Sequence, residues 1–180
     1  MALAAGASAK GIKGKGSLVI SGGFFAINSA DDAVHSDDAI TVNGGSFVIS
    51  TADDGIHAET SITINNGEIS ITNSYEGIEA PIITINGGNI HVVSSDDGIN
   101  LGIDPGAIPP AGQPGARFSI YSGDYYLYIN GGYIYVNALG DGIDSNGAVV
   151  MNGGFVIVDG PSSDMNSALD HVAFNITKGY

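Results

Sequence analysis

The sequence predicts an all-β protein: a single-stranded parallel β-helix of about seven coils, right-handed by the general rule for parallel crossovers. Three observations predict it. An acidic five-residue motif recurs at a period of about 22 residues, as Asp31-Asp32-Ala33-Val34-His35, Asp53-Asp54-Gly55-Ile56-His57, Tyr75-Glu76-Gly77-Ile78-Glu79, Asp96-Asp97-Gly98-Ile99-Asn100 and Gly140-Asp141-Gly142-Ile143-Asp144. A glycine turn keeps the same beat, from Ser21-Gly22-Gly23 through Asn43-Gly44-Gly45, Asn65-Asn66-Gly67, Asn86-Gly87-Gly88 and Asn130-Gly131-Gly132 to Asn152-Gly153-Gly154. The segments between them alternate apolar and polar residues with the period of a strand, and no repeat unit shows the 3.6-residue period of a helix.

Each repeat therefore reads as strand, glycine turn, strand, acidic turn. Ile40-Thr41-Val42, Ile62-Thr63-Ile64 and Val149-Val150-Met151 precede the glycines, and Phe47-Val48-Ile49, Ile69-Ser70-Ile71, Ile134-Tyr135-Val136 and Val156-Ile157-Val158 follow them. Val, Ile, Thr and Tyr suit a half-buried pleated surface. Asn-Gly alone would suggest antiparallel hairpins, but hairpins do not hold one phase over six copies, whereas coils do. Two inward ladders follow: Ile12, Val34, Ile56, Ile78, Ile99, Ile143 and Leu169, and Phe25, Phe47, Ile69, Ile90, Ile134 and Val156.

The chain reads as one domain over residues 1–180 with a long loop insertion at about 101–124. The glycine turns at Asn86 and Asn130 lie two periods apart, yet the run from Leu101 to Gly115 between Asn100 and Tyr125 holds four prolines and no alternation, which a central strand does not tolerate. A smaller insertion at Gly160-Pro161-Ser162-Ser163-Asp164 stretches the last coil. At the start, Lys10 and Lys13 fall at the phase of Asp32 and His35. Neither end shows a cap, so end-to-end or side-by-side self-association is an expectation.

Composition narrows the function. Nineteen acidic residues face 5 basic ones, for a net charge of −14. That excludes nucleic acid, which demands a basic stripe, and favours cations as partners. The absence of Cys excludes disulfides and thiolate metal sites. No apolar run is long enough for a membrane span. Met1 to Ala9 is too short for a secretory leader, so an extracellular or cell-surface location implies a leader absent from this chain.

Coiling stacks Asp32, Asp54, Glu76 and Asp97 about 4.8 Å apart. Two like charges at about 5 Å and an effective dielectric of 20 repel by roughly 3 kcal/mol, so the column calls for a counter-charge. A calcium ion, which takes several oxygen ligands, is the expected cofactor. The candidate ligands are Asp31, Asp32, Asp53, Asp54, Glu76, Glu79, Asp96, Asp97, Asn100, Asp141 and Asp144. A single Asp-Asp-Gly would be read as turn chemistry; five copies in phase favour the metal. His35 and His57 read first as hydrogen-bonding ladder members, and zinc by His–Asp ligation lacks a fourth-ligand pattern.

The runs Gly16-Ser17-Leu18-Val19-Ile20-Ser21-Gly22-Gly23, Asp53-Asp54-Gly55-Ile56-His57-Ala58, Ser74-Tyr75-Glu76-Gly77-Ile78-Glu79-Ala80 and Gly140-Asp141-Gly142-Ile143-Asp144-Ser145-Asn146-Gly147 resemble the secreted bacterial carbohydrate-binding domain-containing β-helix proteins. That family is similar in fold to the family-nine pectate lyases. The resemblance implies binding of plant cell-wall polysaccharide, with calcium in the helix. The lyases hold catalytic calcium with an Asp-Asp-x-x-Asp cluster. Here Asp53-Asp54 ends in His57, Asp96-Asp97 ends in Asn100, and only the copy at Asp141 keeps the last Asp, as Asp144, while lacking the first.

The expected function is therefore calcium-dependent, non-catalytic binding of extracellular polysaccharide, pectic or cellulosic. Tyr121, Tyr126, Tyr128, Tyr133, Tyr135, Phe155 and Arg117 are the candidate glycan contacts, since flat aromatic faces stack on sugar rings. The alternatives are a self-assembling surface module and a calcium-dependent pectate lyase, for which Lys13 is the nearest candidate base.

Overall fold

The computed structural model describes residues 8–102, 125–161 and 164–179. These residues form eighteen strands and no helix, numbered here in chain order. One face of the solenoid stacks β3 (Phe24–Ser29), β6 (Ser46–Thr51), β9 (Glu68–Asn73), β12 (Asn89–Ser94), β15 (Tyr133–Ala138) and β17 (Phe155–Asp159) into a six-stranded sheet. A second face stacks β2 (Leu18–Ile20), β5 (Ala39–Val42), β8 (Ser61–Ile64), β11 (Ile82–Ile85) and β14 (Tyr126–Ile129). The third, which follows the acidic turns, stacks β1 (Ile12–Gly14), β4 (Val34–Ser36), β7 (Ile56–Ala58), β10 (Ile78–Glu79) and β13 (Ile99–Leu101). The long β16 (Ile143–Met151) continues both the second and third faces, and β18 (Asp170–Ile176) pairs with it along both parts.

Every pairing among the described residues is parallel, and apart from register shifts after Ile49 and between Ser145 and Ala148 it keeps the phase of the repeat: Val34 opposes Ile56, Ile56 opposes Ile78, and Ile99 opposes Ile143. Both inward ladders form as expected, and Phe25 and Phe47 stack with ring centroids 4.7 Å apart. The solenoid completes about six turns rather than seven. A turn is complete only when all three faces carry a strand, and β18 pairs with β16 without a further partner for β17.

Among the described residues no strand comes between β11 and β14 or between β13 and β16. Tyr126 pairs with Ile82, so β14 resumes the register that β11 left. Leu101 closes β13 and is buried, so the insertion begins after it rather than at 101. Residues 103–124, with Arg117 and Tyr121, lie outside the described residues.

Both turns are held by periodic chemistry. At the glycine turn the second Gly adopts positive φ, as in Gly45 (φ +111), which only glycine adopts without strain. Beside it runs a side-chain ladder: Asn65 donates to Asn43, Asn86 to Asn65, Asn130 to Asn86 and Asn152 to Asn130, at 2.7–2.9 Å. At the acidic turn the glycine is required by close approach. A Cβ on Gly77 would lie 2.2 Å from the carbonyl oxygen of Gly98 and 2.3 Å from a Val92 methyl.

Candidate functional site: a carboxylate and histidine corner

The acidic turns enter β4, β7, β10, β13 and β16, and stacking lines up two columns of side chains. One holds Asp32, Asp54, Glu76, Asp97 and Asp141. The other holds Lys13, His35, His57, Glu79, Asn100 and Asp144 in direct strand register. Asp32, Asp54, Glu76, His35, His57, Glu79 and Asn100 are buried.

The first column has a structural task. The Oδ1 of Asp32 accepts the backbone N–H of Asp54 at 3.4 Å, and the Oδ1 of Asp54 accepts that of Glu76 at 3.2 Å. Further along, Asp97 accepts from Asp141 at 2.6 Å, and Asp141 accepts from Ser167. Each aspartate thus caps the next turn of the solenoid, as short carboxylate side chains do in turns. One oxygen is committed to the backbone, and the other is left to face the corner. Glu76 is one methylene too long for this pattern, and its Oε2 accepts instead from Asn100 Nδ2 at 2.7 Å.

Near the chain start the corner supplies its own counter-charges. Lys10 Nζ donates to Asp31 at 2.9 Å and to Asp32 Oδ2. His35 Nδ1 lies 2.8 Å from the same oxygen and its Nε2 lies 2.9 Å from Asp37 Oδ1. Lys13 also pairs with Asp37, at 3.5 Å. Burial works against the ionised Asp32, but contacts with His57 and Lys10 prevail and hold its carboxyl well below the usual range. His57 is raised: burial opposes its charge, and Asp32 outweighs that effect. The two imidazoles meet edge-on at 5.0 Å rather than stacking face to face. A cavity of about 170 Å³ opens here, lined by Lys10, Asp32, His57, Tyr75, Glu76 and Glu79 among others.

Toward the other end no basic side chain is paired with the column among the described residues. Burial pushes Glu76 up to about 8, with the charges of Asp54, Asp97 and Asp96 adding to it against the Asn100 hydrogen bond. Burial raises Asp97 to about 6, helped by Asp96, Asp144 and Asp141. Asp144 is raised for the same reasons. Asp97, Asp141 and Asp144 present carboxylate oxygens within 4.8 Å of one another. Beside them, Asn100 Oδ1 is buried with no hydrogen-bond partner, a costly state for a polar atom. Oxygen-only donors, excess negative charge and an orphaned carbonyl oxygen together fit a hard cation such as calcium.

Of the sequence-predicted ligands, Asp31, Asp32 and Asp53 form one close group, Asp54 and Glu79 gather around His57, and Asp97, Asp141 and Asp144 form another. Asp96 flanks the last group, interacting with Tyr75, whose hydroxyl it raises to about 12. The sequence reading missed Lys10 as the counter-ion of Asp32 and Asp37 as the second partner of His35. The signal for Lys10 was present in its phase.

The aromatic candidates do not form one surface. Tyr126 and Tyr128 stand on β14, half-buried, with rings stacked at 5.5 Å. Tyr133, Tyr135 and Phe155 stand on β15 and β17, in the other sheet. Alternation along each strand points the rings outward, but the glycine corner at Asn130 puts the two strands on different faces of the same coil. Tyr133 and Phe155 are register neighbours, 44% and 52% exposed, and Tyr135 donates its hydroxyl to Asp159 at 3.0 Å.

Fold and corner together define a parallel β-solenoid scaffold with a polar, ligand-rich edge and an exposed aromatic strip. The sequence profile of the carbohydrate-binding domain-containing protein family matches residues 2–55 and 51–98, together more than half of the chain, and the protein belongs to that family. No curated protein and no solved structure matches the chain significantly. Family membership points to carbohydrate binding on a β-solenoid rather than to catalysis.

Proposed function

We propose that the protein binds extracellular polysaccharide without cleaving it, and that calcium held at the acidic corner is required for acidic glycans. The observation that carries the reading is the uncompensated stack of Glu76, Asp97, Asn100, Asp141 and Asp144, with its orphaned amide oxygen. When bound, calcium supplies the positive charge to which uronate carboxylates and sugar hydroxyls can be drawn. The chain's own residues do the rest: the aspartates hold the coils in register through their Oδ1 atoms, and their remaining oxygens face the corner. At a net charge of −14, a polyuronate is repelled unless a cation intervenes.

Two features support binding over lyase chemistry. Lys10 is tied to Asp31 and Asp32, and Lys13 to Asp37, so neither is presented as a free base. The strip of Tyr133 and Phe155 supports a second mode, stacking on a neutral glucan.

Co-sedimentation with polygalacturonate and with cellulose, each with and without chelator, tests the reading. Binding to polygalacturonate should vanish with chelator, and any binding to cellulose should survive it. Release of unsaturated uronides absorbing in the ultraviolet would place the protein among the lyases instead. Binding to neither polymer, with linear assemblies growing in calcium, would favour a self-assembling module.

A further inference from the structure

Around His57, in the half of the corner nearest the chain start, the donor set is unsuited to calcium, because imidazole nitrogen is a poor ligand for a hard cation. Its geometry suits a different one. His57 is buried, 6% exposed, and aims Nδ1 at three carboxylate oxygens: Asp32 Oδ2 at 3.4 Å, Asp54 Oδ2 at 3.5 Å and Glu79 Oε2 at 3.7 Å. All three separations exceed the usual N–H···O hydrogen-bond length of about 2.7–3.2 Å. They come close to the edge of a zinc tetrahedron, which is roughly 3.3 Å for metal–ligand bonds of about 2.0–2.1 Å. The ligand atoms of Asp54, His57 and Glu79 lie within 4.8 Å of one another, and all three residues are buried. The cavity of about 170 Å³ gives access.

We infer that Asp54 Oδ2, His57 Nδ1 and Glu79 Oε2 form a site for a borderline first-row divalent cation of the zinc class, with Asp32 Oδ2 at the fourth side. The cation clamps three successive coils: Asp32 comes from the turn before β4, Asp54 and His57 from the turn and strand of β7, and Glu79 from β10. Charge agrees with this. Seven carboxylates line the cavity against one lysine, Lys10, which is itself shared between Asp31 and Asp32, so the site carries the negative charge that draws in a divalent cation. The fourth-ligand pattern absent from the sequence is absent because no single coil contains it. Lys10 and His35 already hold Asp32 Oδ2, so the core of the site is the Asp54–His57–Glu79 trio, with Asp32 or water completing it.

The test uses the full chain stripped of metal. Titration with cobalt(II) should give a visible d–d band of tetrahedral intensity at one equivalent, and zinc should displace it. Calorimetry with zinc should show one site with affinity at least tenfold above that for calcium. His57→Gln and Glu79→Gln should each weaken zinc binding at least tenfold and leave calcium binding unchanged, whereas Asp144→Asn should do the reverse. Circular dichroism identifies any variant that fails to fold, and the cobalt spectrum of the unaltered protein is decisive without variants. A six-coordinate cobalt spectrum, zinc binding indifferent to both His57→Gln and Glu79→Gln, or no zinc binding at all would overturn the site.

Discussion

One repeat builds the acidic corner twice, and the two versions differ in how they handle charge. In the coils that carry Asp32 and Asp54, the position three residues after the second acid is His35 or His57, and Lys10 reaches in from the coil before. In the coils that carry Asp97 and Asp141, that position is Asn100 or Asp144, and no cation is within reach among the described residues. The backbone register is the same, and so is the capping of the next turn by Oδ1. What differs is the identity of one side chain per coil. A solenoid can hold its geometry constant while its ligand chemistry changes from coil to coil. The first half lowers Asp32 and raises His57, while burial still pushes Asp54 up to about 6; the second half raises Glu76 and Asp97 with no basic partner beside them.

Removing the internal cation should have the largest effect. Lys10→Met leaves Asp32, with its side chain 2% exposed, with imidazoles as its remaining charge partners. Breaking a buried pair by removing one partner costs on the order of 3–5 kcal/mol. A drop of that size in urea unfolding is the expected result. A change below about 1 kcal/mol would show that the histidines alone suffice.

Removing the external cation should come next. A ligand that binds only the folded chain stabilises it by about 2.7 kcal/mol at 100-fold excess over Kd. Calcium should therefore raise Tm, and chelator should reverse the gain. The gain should be absent in the double variant Asp97→Asn, Asp144→Asn, and present in His57→Gln. Equal loss in both variants would erase the distinction between the two halves.

The pH dependence of the metal-free chain sharpens the contrast. Glu76, Asp54 and Asp97 have folded values raised to about 8, 6 and 6. Between their unfolded values near 4 and those folded values the native state holds protons that the unfolded chain has released. Stability should therefore fall as pH rises from about 4 to 8. His57, also raised, adds a fall in the same direction as pH passes its folded value. The depressed Asp32 acts oppositely, its contribution being lost only as pH drops below the ordinary carboxylate range. Glu76→Gln should remove much of the slope. It should also stabilise the metal-free protein at pH 8 by roughly 1–3 kcal/mol, since Gln can still accept from Asn100. A flat profile from pH 5 to 8 would mean that Glu76 is ionised without cost.

The smallest expected effect lies away from the corner. Tyr133→Ala with Phe155→Ala removes two exposed rings, so stability should change by less than about 0.5 kcal/mol. Cellulose binding, measured by depletion, should fall about tenfold, the equivalent of about 1.4 kcal/mol. Polygalacturonate binding should be unaffected. Tyr126→Ala, on the other sheet, should leave both unchanged, and a shared loss would mean that one glycan spans both faces.

The repeat alone determined the fold class, the strand register and both inward ladders, because a parallel coil converts sequence phase directly into spatial neighbours. Phase also placed Lys10 beside Asp32 and put the acidic residues in columns. Three things were decided only in three dimensions. The register cannot say which oxygen of an aspartate serves the backbone and which faces the corner; that depends on side-chain length and torsion, as Glu76 shows by turning to Asn100 instead of capping Asp97. Nor can alternation say that Tyr126 and Tyr133 occupy different sheets, because both point outward from strands that the glycine turn separates. Finally, the grouping of Asp32, Asp54, Glu79 and His57 joins residues from three coils at unequal positions of the repeat, and only the packing of those coils brings their polar atoms within a few ångströms of one another.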